Sequence, residues 1–197
     1  MSRPGFPDYF MRLAYLAATR ATCPRKHVGA VMVNDDHRVI ATGYNGAPSG
    51  MPSCDEVGCE IIEGHCQTAV HSEINCISDA GRLAKGCTLY CVCIPCWDCA
   101  KSIANVGIRR VVYDQFYPSR YGLSDKVPAF LRAAKVEVVQ HDSIMLSAFK
   151  KKLEELETLE ADVLATQLVE YQCGCTAPSP APLLCPNHKK GARVVRS

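Results

Sequence analysis

Val70-His71-Ser72-Glu73-Ile74-Asn75 and Pro95-Cys96-Trp97-Asp98-Cys99 are the two stretches around which the rest of the chain has to be arranged. One imidazole, His71, and two thiols, Cys96 and Cys99, make three protein ligands for a metal ion. Four ligands would close a structural zinc site, whereas three leave a coordination position open for water. Glu73, two residues past the histidine, is placed to handle protons without binding the ion. A zinc ion held in this way would lower the pKa of its water to ~7, which would supply a nucleophile at neutral pH. The alternative is a closed zinc knot with Cys87, Cys91 or Cys93 as fourth ligand, since C-x-x-C pairs are often structural. A closed knot has no use for a carboxylate beside its histidine, so Glu73 favours a catalytic zinc.

Outward from these stretches, the chain alternates between two periodicities. Ile74, Ile77 and Leu83 recur at helical intervals, which puts His71 and Glu73 on the first turn of a helix that ends before Gly86. TLYCVCI (88–94) then reads as a strand. Pro95 suits the first position of a second helix, where its missing N–H costs nothing. Cys96 and Cys99 would share one face of that helix, near its positive end. Upstream, residues 8–22 read as a helix presenting Phe10, Leu13, Tyr15, Leu16 and Ala17. VGAVMVN (28–34) and RVIATG (38–43) form a hairpin that turns at Asp35-Asp36-His37. Three glycines and a proline between Gly43 and Gly50 mark a shaped loop, in which Asn45 offers both donor and acceptor. Downstream, GIRRVVYD (107–114) and KVEVVQHD (135–142) are strands separated by the helix VPAFLRAA (127–134). Strands alternating with helices predict an α/β layer fold, a mixed sheet with helices on its faces. The expected organisation is a catalytic domain over 1–142, a helical extension over 143–171 and a small tail over 172–197.

The composition narrows the function. With 48% hydrophobic residues, the 197-residue chain can build one substantial core. Its formal charge of +2 is too balanced for a protein whose task is to hold a nucleic-acid backbone, and this argues for a small substrate. No run approaches the ~20 apolar residues that span a bilayer, so no membrane partner is expected. Asp8, Arg12 and Arg20 interrupt any apolar leader. With an odd count of 13 cysteines, the chain reads as reduced, metal-rich and cytoplasmic.

Further metal ligands follow from the cysteine spacing. The long stretch from Met51 to Thr68 needs something to order it. A structural zinc on Cys23, Cys54 and Cys66, with Cys59 or His65 as the fourth ligand, would do so. In the tail, Cys173, Cys175, Cys185 and His188 suit a closed tetrahedral zinc around a proline-rich linker. The terminal KKGARVVRS is read as a solvated basic end. Leu146, Phe149, Leu153 and Leu156 form a stripe with charged flanks, which suits contact with a second copy of the chain. A phosphate on the substrate would need partners near strand ends. Arg25 and Lys26 precede a strand, Tyr117 and Arg120 follow one, and the pair Tyr117 and Arg120 is preferred.

The motifs C-P-R-K-H-V-G-A-V, A-T-G-Y-N-G-A-P-S-G, V-H-S-E-I-N and P-C-W-D-C-A-K together resemble the deoxycytidylate (dCMP) deaminases of bacterial and phage type. H-x-E…P-C-x-x-C is the known spacing of zinc nucleobase deaminases. The resemblance covers about residues 8–142 and leaves out the terminal helix and tail. It implies the cytidine deaminase-like fold, with a five-stranded sheet flanked by helices. It also implies hydrolysis of dCMP to dUMP and ammonia, feeding thymidylate synthesis. His71, Cys96 and Cys99 match the family's zinc ligands, and Glu73 its proton shuttle. Asn45 matches the residue that holds the deoxyribose, and Ser72 one whose backbone holds the pyrimidine edge. Val28 and Arg25 are further expected substrate contacts. Cysteines matching Cys23, Cys54 and Cys66 hold a second zinc in some members. Many members are dimers or hexamers, and some are activated by dCTP with Mg2+ and inhibited by dTTP. The corresponding effector surface here would involve Gly43, Tyr44, Gly46 and Arg82.

Overall fold

The computed structural model describes residues 3–63, 65–117, 123–142, 144–166, 168–170 and 176–178. They fall into two compact units, Met1–Ser147 and Ala148–Ser197. The first unit opens with helix α1 (Phe6–Ala18) and the hairpin β1 (Gly29–Val33) and β2 (Val39–Tyr44). Asn34 sets that turn, its Oδ1 accepting from the N–H groups of Asp36 (3.1 Å) and Arg38 (2.9 Å). Next come α2 (Cys54–Val57), the short pair β3 (Ile61–Ile62) and β4 (His65–Cys66), and α3 (Ser72–Ala80) with a 3-10 turn to Ala84. β5 (Thr88–Cys93), α4 (Trp97–Val106), β6 (Arg110–Gln115), α5 (Val127–Ala133) and β7 (Glu137–Gln140) complete the layers.

The five-stranded sheet has the order β2-β1-β5-β6-β7. β1 runs antiparallel to both β2 and β5, whereas β5, β6 and β7 are parallel. The sheet is therefore mixed, as expected from strands that alternate with helices. One face carries Ala30, Met32, Leu89, Cys91 and Val111 against Cys76 of α3, Ile103 of α4 and Leu131 of α5. The alternating residues Val31, Val33, Tyr90 and Val92 are buried too, and the Phe10 ring of α1 lies 5.3 Å from that of Tyr90. Burial on both faces explains the near-continuous apolar runs of β1 and β5.

Several local expectations are corrected. The buried face of α1 is Phe10, Met11, Ala14 and Ala18, and Leu16 is exposed. Backbone approach sets that rotation. A Cβ on Gly29 would run into the carbonyl oxygen of Ala14 and lie 2.6 Å from the amide nitrogen of Ala18. The smallest residues of α1 must therefore face β1. In α3 the buried stripe is Ser72, Glu73, Cys76 and Ala80, while Leu83 lies exposed beyond the helix, which stops at Gly81 instead of running on towards Gly86. An apolar-periodicity reading misses this stripe because two of its members are polar. The segment from Met51 to Thr68 contains α2 and the β3–β4 pair, so it is not one irregular loop.

The C-terminal helix α6 (Ile144–Thr166) also ends earlier than expected. Its predicted end is instead β8 (Leu168–Glu170), paired antiparallel with β9 (Thr176–Pro178). The β-branched Val169 at the centre of that segment suits a strand better than a helix end. Cys173, Cys175, Cys185 and His188 lie outside the described residues, as does Arg120. Among the described residues no helix is long and apolar enough to cross a membrane.

Candidate metal centre and cavity

Two helix starts converge on one point. His71 is the N-cap of α3 and Cys96 the N-cap of α4, so neither sits inside its helix, and Pro95 precedes the cap. The Cys96 sulfur takes the place of the usual capping oxygen, accepting from the Cys99 N–H at 3.5 Å. His71 Nδ1 stands 3.4 Å from Cys96 Sγ and 3.4 Å from Cys99 Sγ. Tetrahedral zinc with ordinary bond lengths separates a nitrogen and a sulfur ligand by about 3.6 Å, so the donor set fits that ion. Among the described residues no further His, Cys, Asp or Glu joins this group, and Cys87, Cys91 and Cys93 stay outside it. The three donors interact strongly with one another. Hydrogen bonding from Cys99, and then from His71, holds the Cys96 thiol down at about 4. The bond to Cys96 lifts His71 to about 9. Cys99 is pushed up by its bond to Cys96 and by burial.

Glu73 lies in the first turn of α3, 4% exposed. Burial raises its pKa, and the nearby His71 opposes that rise. The Ser72 hydroxyl donates to Glu73 Oε2 at 3.0 Å. Glu73, Ser72 and two of the donors, His71 and Cys96, line a cavity of about 350 Å3 with Arg25, Val28, Asn45 and Tyr117. Lys26, set behind Tyr117 and Arg120 in the sequence reading, lies on its wall, as do Gln67 and Trp97, which that reading missed. Lys26 was visible as a cation before a strand, but nothing local to Gln67 or Trp97 marks them.

Asn45 holds the cavity rim together. Its Oδ1 accepts from Val28 N–H at 2.7 Å and its Nδ2 donates to the Lys26 carbonyl at 2.9 Å. One acceptor lone pair and one N–H of the amide remain for a ligand. Gly46 pairs with Val70, the residue before His71, and so ties the glycine loop to the start of α3. Gly43, Tyr44, Gly46 and Arg82 do not line the cavity. Gly43 is buried against α3, whereas Tyr44 and Arg82 are exposed.

A second group, Cys23, Cys54, Cys59 and Cys66, brings four sulfurs within 4.8 Å of one another. Cys59 is its fourth member, and His65 is not. The Cys23–Cys59 and Cys54–Cys66 distances are 3.7 and 3.5 Å, near the about 3.8 Å separating two thiolates on tetrahedral zinc. Burial pushes the Cys66 thiol up, yet backbone N–H groups of Ala69 and Thr68 and the Cys54 thiol bring it down to about 7. N–H groups aimed at a sulfur suit a thiolate ligand. Cys23 and Cys66 also line the cavity, so this group forms part of its wall.

Residues 6–115, more than half of the chain, match the model of the cytidine and deoxycytidylate deaminase zinc-binding region. The deoxycytidylate deaminase of Schizosaccharomyces pombe is 37% identical over 153 residues, covering 71% of this chain and 45% of that protein. ComE operon protein 2 of Bacillus subtilis is 42% identical over 120 residues, 59% of this chain and 63% of that protein. The chain thus spans less than two thirds of either curated relative's length. Among solved structures, the dCMP deaminase of cyanophage S-TIM5 in complex with dCMP and dUMP is similar with a TM-score of 0.59 and 30% identity. That match covers 72% of this chain and 100% of the cyanophage chain. Sheet order, donor geometry and these likenesses agree, and the chain belongs to the cytidine and deoxycytidylate deaminase family, whose zinc-binding region it carries.

Proposed function

We propose that this chain hydrolyses dCMP to dUMP with release of ammonia. The observation that carries this reading is a buried carboxylate, Glu73, sharing one cavity with His71 and Cys96 of a three-donor metal group that has no fourth protein ligand among the described residues. The names of the relatives support the substrate, as does the cyanophage enzyme's complex with dCMP and dUMP. His71, Cys96 and Cys99 are assigned to the zinc. When bound there, zinc makes water reactive at neutral pH.

The chain's own residues supply the rest of the chemistry. Ser72 fixes Oε2 of Glu73, leaving Oε1 to exchange protons with water and substrate. Its raised pKa suits a group that must both take and give a proton near neutrality. Glu73 takes one proton from the attacking water and passes it to N3 of the ring, then takes the second from the new C4 hydroxyl and delivers it to the departing amine. Water adds at C4, the C4–N4 bond breaks, and the products are dUMP and ammonia. Asn45 holds the sugar through the half of its amide left unused, and Val28 packs beside it.

Turnover measured on deoxycytidine, dCMP, dCTP, 5-methyl-dCMP and cytosine in single-stranded DNA, each with and without dCTP–Mg2+, tests the assignment. dCMP is expected to give the highest kcat/KM, and a zinc-loaded protein inert towards dCMP would overturn it. We further assign a structural zinc to Cys23, Cys54, Cys59 and Cys66. Cys54→Ser is then expected to lower bound zinc by about one ion per chain and to lower the melting temperature, since such binding energy is also folding energy. Unchanged zinc content by elemental analysis would refute that site.

A further inference from the structure

Lys26 is a half-buried cation on the cavity wall whose partners among the described residues are all neutral. Its Nζ donates to Gln115 Oε1 at 2.8 Å and stands 4.8 Å from the centre of the Tyr117 ring. It also faces the Cys93 thiol. A partly desolvated charge without an opposite charge is costly, unless an anion arrives to meet it. An ammonium has three N–H groups, and Gln115 uses one of them.

The hydrogen bonds behind Lys26 run in one direction. The Tyr15 hydroxyl has a single proton and gives it to Asp114 Oδ2. Towards Gln115 it can therefore only accept, and it does so from Gln115 Nε2 at 2.9 Å. That fixes the orientation of the Gln115 amide and leaves its carbonyl oxygen pointing to Lys26. At its other end, the Lys26 backbone carbonyl is held by Asn45 Nδ2. Both ends of the lysine are thus positioned, one beside Asn45 and the other over Tyr117. Arg25, its neighbour, also lines the cavity but is exposed.

We infer that Lys26 reads the 5′-phosphate of the substrate, held for that task by the Asp114–Tyr15–Gln115 chain. This rests on the nucleotide deaminase reading above and makes the substrate class a nucleoside monophosphate and not a free nucleoside. It also moves the main phosphate contact away from Arg120, which lies outside the described residues.

The test compares wild type, Lys26→Met and Tyr15→Phe on dCMP and deoxycytidine, with inorganic phosphate as a competing inhibitor. Methionine keeps much of the stem and removes the charge. The ratio of kcat/KM for dCMP over deoxycytidine is expected to fall roughly 10- to 100-fold in Lys26→Met, the range of a charged hydrogen bond. Inhibition by phosphate should weaken in parallel. Tyr15→Phe frees the Gln115 amide and is expected to raise KM for dCMP several-fold at nearly constant kcat. A merely structural tyrosine would not produce that split. If wild type deaminates dCMP and Lys26→Met keeps the same ratio, the assignment of Lys26 is wrong and the deaminase reading stands. If Tyr15→Phe leaves KM unchanged or lowers kcat alone, the positioning chain is wrong. A wild type inactive on dCMP removes both the deaminase reading and this inference.

Discussion

Glu73→Gln is expected to bind as much zinc as the wild type and to lose ~10²–10⁴-fold in kcat, the usual worth of a positioned acid–base group. The amide is nearly the same size and can still accept from the Ser72 hydroxyl, so the packing of α3 should survive. What it cannot do is take a proton from water and pass it to the ring. Glu73 makes no contact with the outside that would give its charge another purpose, being 4% exposed. The measurement is kcat on dCMP beside zinc content by elemental analysis. Turnover at the wild-type level would remove Glu73 from the mechanism. Loss of zinc together with rate would make it a ligand and not a proton carrier.

Gly43→Ala is expected to destabilise the fold by about 3 kcal/mol or more, the upper range for overpacking a core. A Cβ at Gly43 would run into the carbonyl oxygen of Ser72 and lie 2.6 Å from the amide nitrogen of Cys76. Both are backbone atoms of α3, so no side chain can rotate out of the way. The helix would have to move off the sheet, taking His71 and Glu73 with it. Zinc affinity should fall together with stability, although residue 43 touches neither the donors nor the cavity. Urea unfolding with parallel zinc titration checks both effects. An unchanged midpoint would show that α3 is free to shift, and Gly43 would then have no packing role.

Much of the layer fold was legible because apolar runs and turn residues agree with the final pairing. VGAVMVN and RVIATG became β1 and β2, and TLYCVCI became β5, since each carries side chains that a sheet buries. Helix faces were read less well. α1 is rotated by the approach of Gly29 to Ala14 and Ala18, a contact between distant segments that no local periodicity encodes. The buried stripe of α3 contains Ser72 and Glu73, polar residues turned inward to line a cavity. Such a pattern reads as the solvent face until the cavity is seen.

The chemistry was carried by spacing. His71, Glu73, Cys96 and Cys99 are distinctive at two and three residues apart, so the sequence alone pointed to a metal group with an adjacent acid. Short-range geometry suffices there, because each pair sits on one helix start. Only the tertiary structure decided that the two helix starts meet, that Cys59 and not His65 completes the second group, and that Lys26 bonds to Gln115, whose amide in turn bonds to Tyr15. Those relations join residues far apart in the chain, and their distances exist only once the sheet has brought β1, β5 and β6 side by side.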